Sequence, residues 1–268
     1  MRVLALDPDV IVFISAFWQT TCTALRAGEE GFVIDSPVLP HELEAMPQVL
    51  EQSAFPVSGL LVTHGDWDHL LARHAFPDAS LGCGESTAEL LAQRPDVPAR
   101  ELAEFDEEHY IAGRPPLSLD ELQQLPVPGR LELGAAGREI ELHPTPGHTT
   151  DGTAYLISWL GMLVPGDYLS PVEIPWISAG GSAVAYLDTL ERLRGLVERA
   201  EHVVPGHGGP LSPAEATRIL DEDMAYVCAL LDGESDVALP TGRDTAAQRR
   251  IHAENLGRLA GGEGREVD

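Results

Sequence analysis

The stretch Thr63-His64-Gly65-Asp66-Trp67-Asp68-His69 sets four imidazole or carboxylate side chains within six positions. Imidazole and carboxylate are donors that divalent zinc, iron and manganese accept. The cluster follows the apolar run 59–62, which reads as a buried strand. A loop at a strand's C-terminal end can aim several side chains at one point. Alone, such a segment would also suit a solvated polar loop, but three later segments weigh against that. Pro146-Gly147-His148-Thr149, Pro165-Gly166-Asp167 and Pro205-Gly206-His207-Gly208 each follow a strand-like run and set one potential ligand beside a glycine. Glycine permits the tight turn and close backbone approach of a crowded centre. A single Gly-His or Gly-Asp often marks a mere turn; the ordered series is hard to obtain by chance. His41, His74, His109, His143, His202 and His252 have no such context and read as ordinary core or surface histidines.

The elements that must position these groups alternate along the chain. Strands are expected at 10–17, 21–26, 32–34 and 59–62, and helices at 41–52, 70–76 and 86–93, with Ser86 as a cap and Glu89 completing a capping box. Residues 94–128, rich in proline and acidic side chains, read as an excursion with one or two short helices. Strands return at 130–133, 139–143, 154–159, 162–164 and 201–204. An amphipathic helix is expected at 183–199, with Leu187, Leu190, Leu193 and Val197 on one face. Another is expected at 212–231, with Ser212 as cap and Pro213 in the first turn. Two half-sheets, each followed by helices, suggest an α/β sandwich. The expected division is a main domain over 1–231 and a helical tail over 232–268, with one helix at 245–259 and a Gly-rich end that frays. The apolar loop 169–181, directly after Asp167, is the best candidate for a substrate-binding wall.

Composition narrows the function. A chain of 268 residues with 44% hydrophobic content can bury a sizeable core. A formal charge of −26 repels nucleic acid and anionic membrane, so neither is an expected partner; the small-molecule substrate expected here follows from the site chemistry. Cys22, Cys83 and Cys228 are odd in number and widely spaced, which indicates neither a disulfide framework nor a thiolate zinc site. Buried thiols in a reducing cytoplasm are the expectation. The apolar run near residue 10 is too short to span a bilayer and follows Asp7 and Asp9, where a signal peptide carries positive charge, so it reads as a strand of a cytoplasmic protein. Composition leaves the oligomeric state open.

From about Val10 to about Leu231 the sequence resembles the metallo-β-lactamase fold family, which includes glyoxalase II-like thioesterases, lactonases and flavodiiron proteins. The family motif runs H-x-H-x-D-H, then a Gly-His, a Gly-Asp and a final Gly-His. Asp35 resembles the aspartate of the family's early D-[TS]-G turn, with Pro37 in place of the glycine. The resemblance implies an α/β fold, the four-layer αβ/βα sandwich. It implies two divalent metal ions, zinc first, with iron or manganese as alternatives. His64, Asp66 and His148 would hold one ion and Asp68, His69 and His207 the other, with Asp167 bridging them.

The sequence departs from the motif at Asp66, which stands where the family has its second histidine. A carboxylate there can ligate, as the corresponding glutamate does in flavodiiron proteins; it can miss the ion; or the site can be dead. Ligation is favoured, because the other six positions are intact. The implied activity is that of a metal-dependent hydrolase using a metal-bridging hydroxide to cleave an ester, thioester, lactone or lactam. Asp68 would orient the nucleophile or pass a proton to the leaving group. Tyr168 would assist the substrate carbonyl, as a tyrosine does in some lactonases, or serve as a core residue. Trp67 would wall the pocket or pack beneath the loop. The rivals are a diiron oxidoreductase related to flavodiiron proteins and a catalytically degenerate metal-binding member.

Overall fold

In a computed structural model, residues 1–134, 137–234 and 237–261 are described. The chain divides into two compact units, Met1–Leu142 and His143–Asp268. The first contains a seven-stranded sheet whose order follows the sequence: β1 (Arg2–Asp7), β2 (Val10–Ile14), β3 (Thr21–Ala27), β4 (Glu30–Asp35), β5 (Gly59–Leu61), β6 (Ser80–Gly84) and β7 (Leu122–Leu125). The first four strands are antiparallel neighbours joined by short turns, and β4 to β7 are parallel. Parallel strands need crossovers. Here these contain α1 (Pro40–Gln52), the short α2 (Ala72–Ala75), α3 (Glu85–Gln93) and α4 (Val97–Glu108). A hairpin of β8 (Gly129–Glu132) and β9 (Glu139–Pro144) follows, and β9 carries the division between the units.

Burial explains which strands the sequence pattern reveals. All five residues of β2 are buried, as its unbroken apolar run implies. The expected strand at 10–17 stops at Ile14, because the chain turns through Trp18 and Gln19, both at positive φ. By contrast β1 was not expected from its pattern: five of its six residues are exposed, and backbone pairing to β2 holds it at the sheet edge. Phe13, Val33, Met46, Leu50, Leu60 and Leu81 form the middle of this unit's core. Each such side chain contributes roughly 1.5–3 kcal/mol by leaving water. Two local expectations need correction. Helix α3 begins at Glu85 after Gly84, with no side-chain cap at its start, so Ser86 lies inside the helix rather than at its cap. The excursion at 94–128 supplies the 12-residue helix α4 and the parallel edge strand β7.

The second unit contains β10 (Thr153–Ile157), β11 (Met162–Val164) and β12 (His202–Val203), with β10 and β11 antiparallel and β11 and β12 parallel. Its helices are α5 (Ala183–Val197), α6 (Pro213–Leu231) and α7 (Ala246–Ala260). Tyr186, Leu190, Leu193 and Val197 bury one face of α5, while Leu187 is only partly buried. Ser212 caps α6, its side chain accepting from the Glu215 N–H, with Pro213 in the first turn. Thr245 caps α7 in the same way. The expected frayed end lies outside the described residues. Cys22 and Cys83 are buried free thiols, whereas Cys228 is exposed, against the expectation that all three are buried.

Glu42 is a charged group in the first unit's core, with no exposed surface. Its carboxylate accepts from Ser15 Oγ at 2.6 Å, the Ala16 N–H at 2.8 Å and the Leu39 N–H at 3.1 Å. The Met1 amine also lies 3.1 Å away. Burial alone would push this carboxyl up, but the hydrogen bonds outweigh burial and hold it below its ordinary value. A depressed carboxyl contributes stability above its unfolded pKa, and that contribution is lost as pH falls through the folded value. Glu42→Gln is therefore expected to cost about 1–3 kcal/mol at neutral pH and progressively less in acid. Urea unfolding of both proteins at several pH values checks this; a pH-independent gap between them would refute it.

Candidate functional site

In the first unit the ligand loop leaves β5 beside the end of β4, where Ile34 pairs with Leu61. Asp35, the last residue of β4, is 1% exposed and has φ 60°, a left-handed conformation that costs most residues energy. The conformation turns its carboxylate onto the loop. Oδ1 accepts the Thr63 N–H at 2.8 Å, Oδ2 accepts the Thr63 hydroxyl at 2.9 Å, and His69 Nδ1 lies 3.1 Å from Oδ2. Ser36 Oγ donates to the Asp68 carbonyl and accepts the Leu71 N–H, pinning the single helical turn Trp67–His69. The sequence identified Asp35 as a motif residue. Its hold on Thr63 and its closeness to His69 appear only in three dimensions.

The orientation of His64 follows from the same network. Its Nδ1 lies 3.0 Å from Thr63 Oγ1, which has given its proton to Asp35, so the hydroxyl accepts and the imidazole donates. The Nε2 lone pair then faces away from this network, 3.5 Å from Asp66 Oδ2. His69 Nε2 lies 3.7 Å from Asp68 Oδ2, and the two histidine rings are 4.3 Å apart. His64, Asp68 and His69 are buried, while the Asp66 side chain is 34% exposed. Trp67 packs under Phe105 of α4 at a ring separation of 4.7 Å, which favours the packing reading of this residue. Glu101 of α4 also senses the loop. Burial pushes its carboxyl up, and the negative charges of Asp66, Glu104 and Asp68 add to the effect against Arg100. No pattern in the excursion marked Glu101.

The second unit assembles His148, Asp167 and His207. Gly147 has φ 137°, and a Cβ there would meet the Tyr186 Cα at 2.4 Å, so glycine is required next to the ligand. His148 Nδ1 lies 2.9 Å from the Trp176 carbonyl; a carbonyl only accepts, so Nδ1 carries the proton and Nε2 the lone pair. One carboxylate oxygen, Asp167 Oδ2, lies 3.5 Å from His148 Nε2 and 3.3 Å from His207 Nε2. Ser170 Oγ donates to the His207 carbonyl, and His207 Nδ1 sits 3.9 Å from Glu173 Oε1. Tyr168 is 2% exposed; its hydroxyl accepts the His148 N–H and donates to the Thr145 carbonyl, and burial pushes it up. These contacts tie Tyr168 to the backbone of His148 and Thr145. A narrow cleft beside His148 and Asp167 is lined by Ser170, Glu173, Pro175 and Trp176, all from the loop expected to form a wall.

Both sets suit metal ions by donor chemistry. Two donors about 2.1 Å from one ion at tetrahedral angles stand about 3.4 Å apart. The imidazole–carboxylate separations of 3.3–3.7 Å lie close to that spacing and beyond an ordinary N–H···O bond. Histidines with Nδ1 held by a hydroxyl or a carbonyl, as in His64 and His148, are those whose Nε2 is prepared for ligation.

The family model described as the metallo-beta-lactamase superfamily matches residues 16–207. The chain belongs to this superfamily. Its metallo-β-lactamase fold is shared with solved structures of low sequence identity. The metallo-beta-lactamase family protein TTHA1429 from Thermus thermophilus is 20% identical with a TM-score of 0.65, over 85% of this chain and 82% of that one. The stereoselective inverting sec-alkylsulfatase Pisa1 from Pseudomonas sp. is 11% identical with a TM-score of 0.72, over 97% of this chain and 50% of that one. TTHA1623 in a di-iron-bound form is 19% identical with a TM-score of 0.59, over 78% of this chain and 97% of that one. No curated protein matches the chain in sequence at a significant level. Superfamily membership supports a metal-dependent hydrolase in general terms. Among the described residues no helix is long and apolar enough to cross a membrane.

Proposed function

We propose that this metallo-β-lactamase superfamily member uses His64, Asp66, Asp68, His69, His148, Asp167 and His207 to bind two divalent metal ions and hydrolyse an ester, thioester, lactone or lactam. The observation that carries the reading is the orientation of the histidines: His64 and His148 have their Nδ1 protons directed to Thr63 Oγ1 and the Trp176 carbonyl. The division of ligands follows the superfamily motif: His64, Asp66 and His148 for one ion, Asp68, His69 and His207 for the other, and Asp167 for both. The position of Asp167 Oδ2 between two imidazole nitrogens of its own unit supports the bridging role. When bound, such ions supply Lewis acidity for a scissile carbonyl and activate water at neutral pH. Zinc is the first choice, with iron or manganese as alternatives.

The chain's own residues supply the remaining functions. Asp35, Thr63 and the Trp176 carbonyl hold imidazole tautomers. Asp68 orients the attacking water or carries a proton from it to the leaving group through its carboxylate. Trp176 and Pro175 line the cleft beside His148 and Asp167 and would form the wall of the substrate site. The charge of −26 favours a neutral small molecule over nucleic acid or an anionic membrane, and the free buried thiols fit a reducing cytoplasm. Elemental analysis of protein reconstituted with excess zinc, iron or manganese is expected to approach two equivalents per chain. A panel of ester, thioester, lactone and lactam substrates should then show turnover that a chelator abolishes and added metal restores. Protein that retains no ion after reconstitution, or hydrolysis indifferent to the chelator, would overturn the reading.

A further inference from the structure

The loop after Asp167 is held by side chains that come from far along the sequence. Arg243 is 1% exposed and donates to the Ser170 and Glu173 carbonyls at 3.3 and 2.9 Å, while Asp223 and Glu222 neutralise it. Gln248, in the first turn of α7, accepts the Ile174 N–H through Oε1 at 2.8 Å. Asn255, two turns later and without exposed surface, makes the tightest grip. Its Oδ1 accepts the Ile177 N–H at 2.9 Å and its Nδ2 donates to the Pro175 carbonyl at 2.7 Å. Nδ2 also donates to the Tyr226 hydroxyl at 3.1 Å. One carboxamide thus holds the backbone on both sides of Trp176, and the Trp176 carbonyl is the group that holds His148 Nδ1.

Buried polar side chains are expensive unless they are satisfied, and three on one C-terminal segment all serve the same loop. A helix that only covered apolar surface would need none of them. We infer that Asn255 is a positioning residue for His148, and that α7 sets the geometry of the second unit's ligand set through the peptide groups flanking Trp176. The inference rests on the reading of His148 as a metal ligand. Only Asn matches this job. Aspartate would keep the acceptor for Ile177 and lose the donor to Pro175; alanine loses both; leucine fills the space without either contact.

Zinc affinity, measured by competition with a chelating dye, and the visible absorption of the cobalt-substituted protein are the readouts. Asn255→Ala is expected to weaken one zinc site about 10- to 100-fold and to alter the cobalt bands, with Asn255→Asp intermediate. Leu259→Ala is the control, since Leu259 lies on α7 in the same core but touches no loop backbone polar group among those named. It should lower thermal stability and leave zinc affinity and the cobalt spectrum unchanged. His148→Ala tests the underlying reading. If His148→Ala loses zinc while Asn255→Ala binds it as tightly as Leu259→Ala does, the positioning role is overturned and the ligand reading stands. If His148→Ala binds zinc as the parent does, the ligand reading falls and takes the positioning role with it. Should Asn255→Ala fail to fold, Asn255→Asp decides the question by the same comparison.

Discussion

Asp66→Ala is expected to leave one tightly held metal ion where the parent protein is expected to hold two. The superfamily motif has histidine at this position, and here a shorter, charged side chain places Oδ2 3.5 Å from His64 Nε2. If Asp66 is a direct donor, as proposed, its removal should weaken that site on the order of 100-fold or more, because even partners one step removed cost about 10–100-fold. Asp68, His69 and His207 are untouched by the substitution, so the second ion should persist and hydrolysis should fall steeply without loss of fold. Asp66→His should return the stoichiometry to two, provided the longer imidazole fits a side-chain position that is 34% exposed. Elemental analysis and dye competition on the three proteins read this directly. An Asp66→Ala protein with two ions and parental turnover would remove Asp66 from the ligand set.

The second large effect is expected at Asp35, which touches no substrate. Asp35→Asn keeps the size of the side chain and tolerates the left-handed backbone, but it places an NH2 group against donors. The Thr63 N–H, the Thr63 hydroxyl and His69 Nδ1 all converge on the Asp35 carboxylate. One amide oxygen cannot satisfy all three. Metal affinity is expected to drop about 10- to 100-fold and folding stability about 1–3 kcal/mol. Asp35→Ala should be worse in stability, because alanine at φ 60° adds roughly 1–2 kcal/mol of backbone strain. Calorimetric unfolding with and without zinc separates the two losses. Parental zinc affinity in Asp35→Asn would show that the carboxylate does not orient His69.

The ligand candidates were legible because metal chemistry restricts residue types and a strand's end restricts spacing. His64 to His69 sit in one loop and turn, and His148, Asp167 and His207 each announce themselves beside a glycine. The helix cap Ser212 was legible because a hydroxyl before a helical run has a common use, whereas Ser86, read in the same way, lies inside its helix. What holds the ligands was not legible. The group that orients His148 is a backbone carbonyl 28 residues away, and a carbonyl leaves no mark in sequence. Asn255 looks like any polar residue on a helix until its burial is known. Strand β1 was hidden because backbone pairing, rather than an alternating buried face, keeps it in the sheet. Strand β7, Leu-Gln-Gln-Leu, has only partly buried ends and lies close to prolines. The contacts of the Tyr168 hydroxyl with two backbone groups were likewise not legible.

The reach of Asn255 has a meaning in time as well as in space. A chain is made from its N-terminus, and compact units tend to fold as they emerge. The ligand loop of the first unit and its anchor Asp35 are complete within the residues up to His69, and that unit closes at Leu142. The second unit's set spans 148 to 207, yet the residue that steadies His148 through Trp176 is made 48 positions after the last ligand, as 255 minus 207. During synthesis the candidate ligands of the first unit can therefore be ordered long before those of the second. On this account a chain released short of Asn255 has all seven candidate ligands but lacks the residue inferred to steady His148.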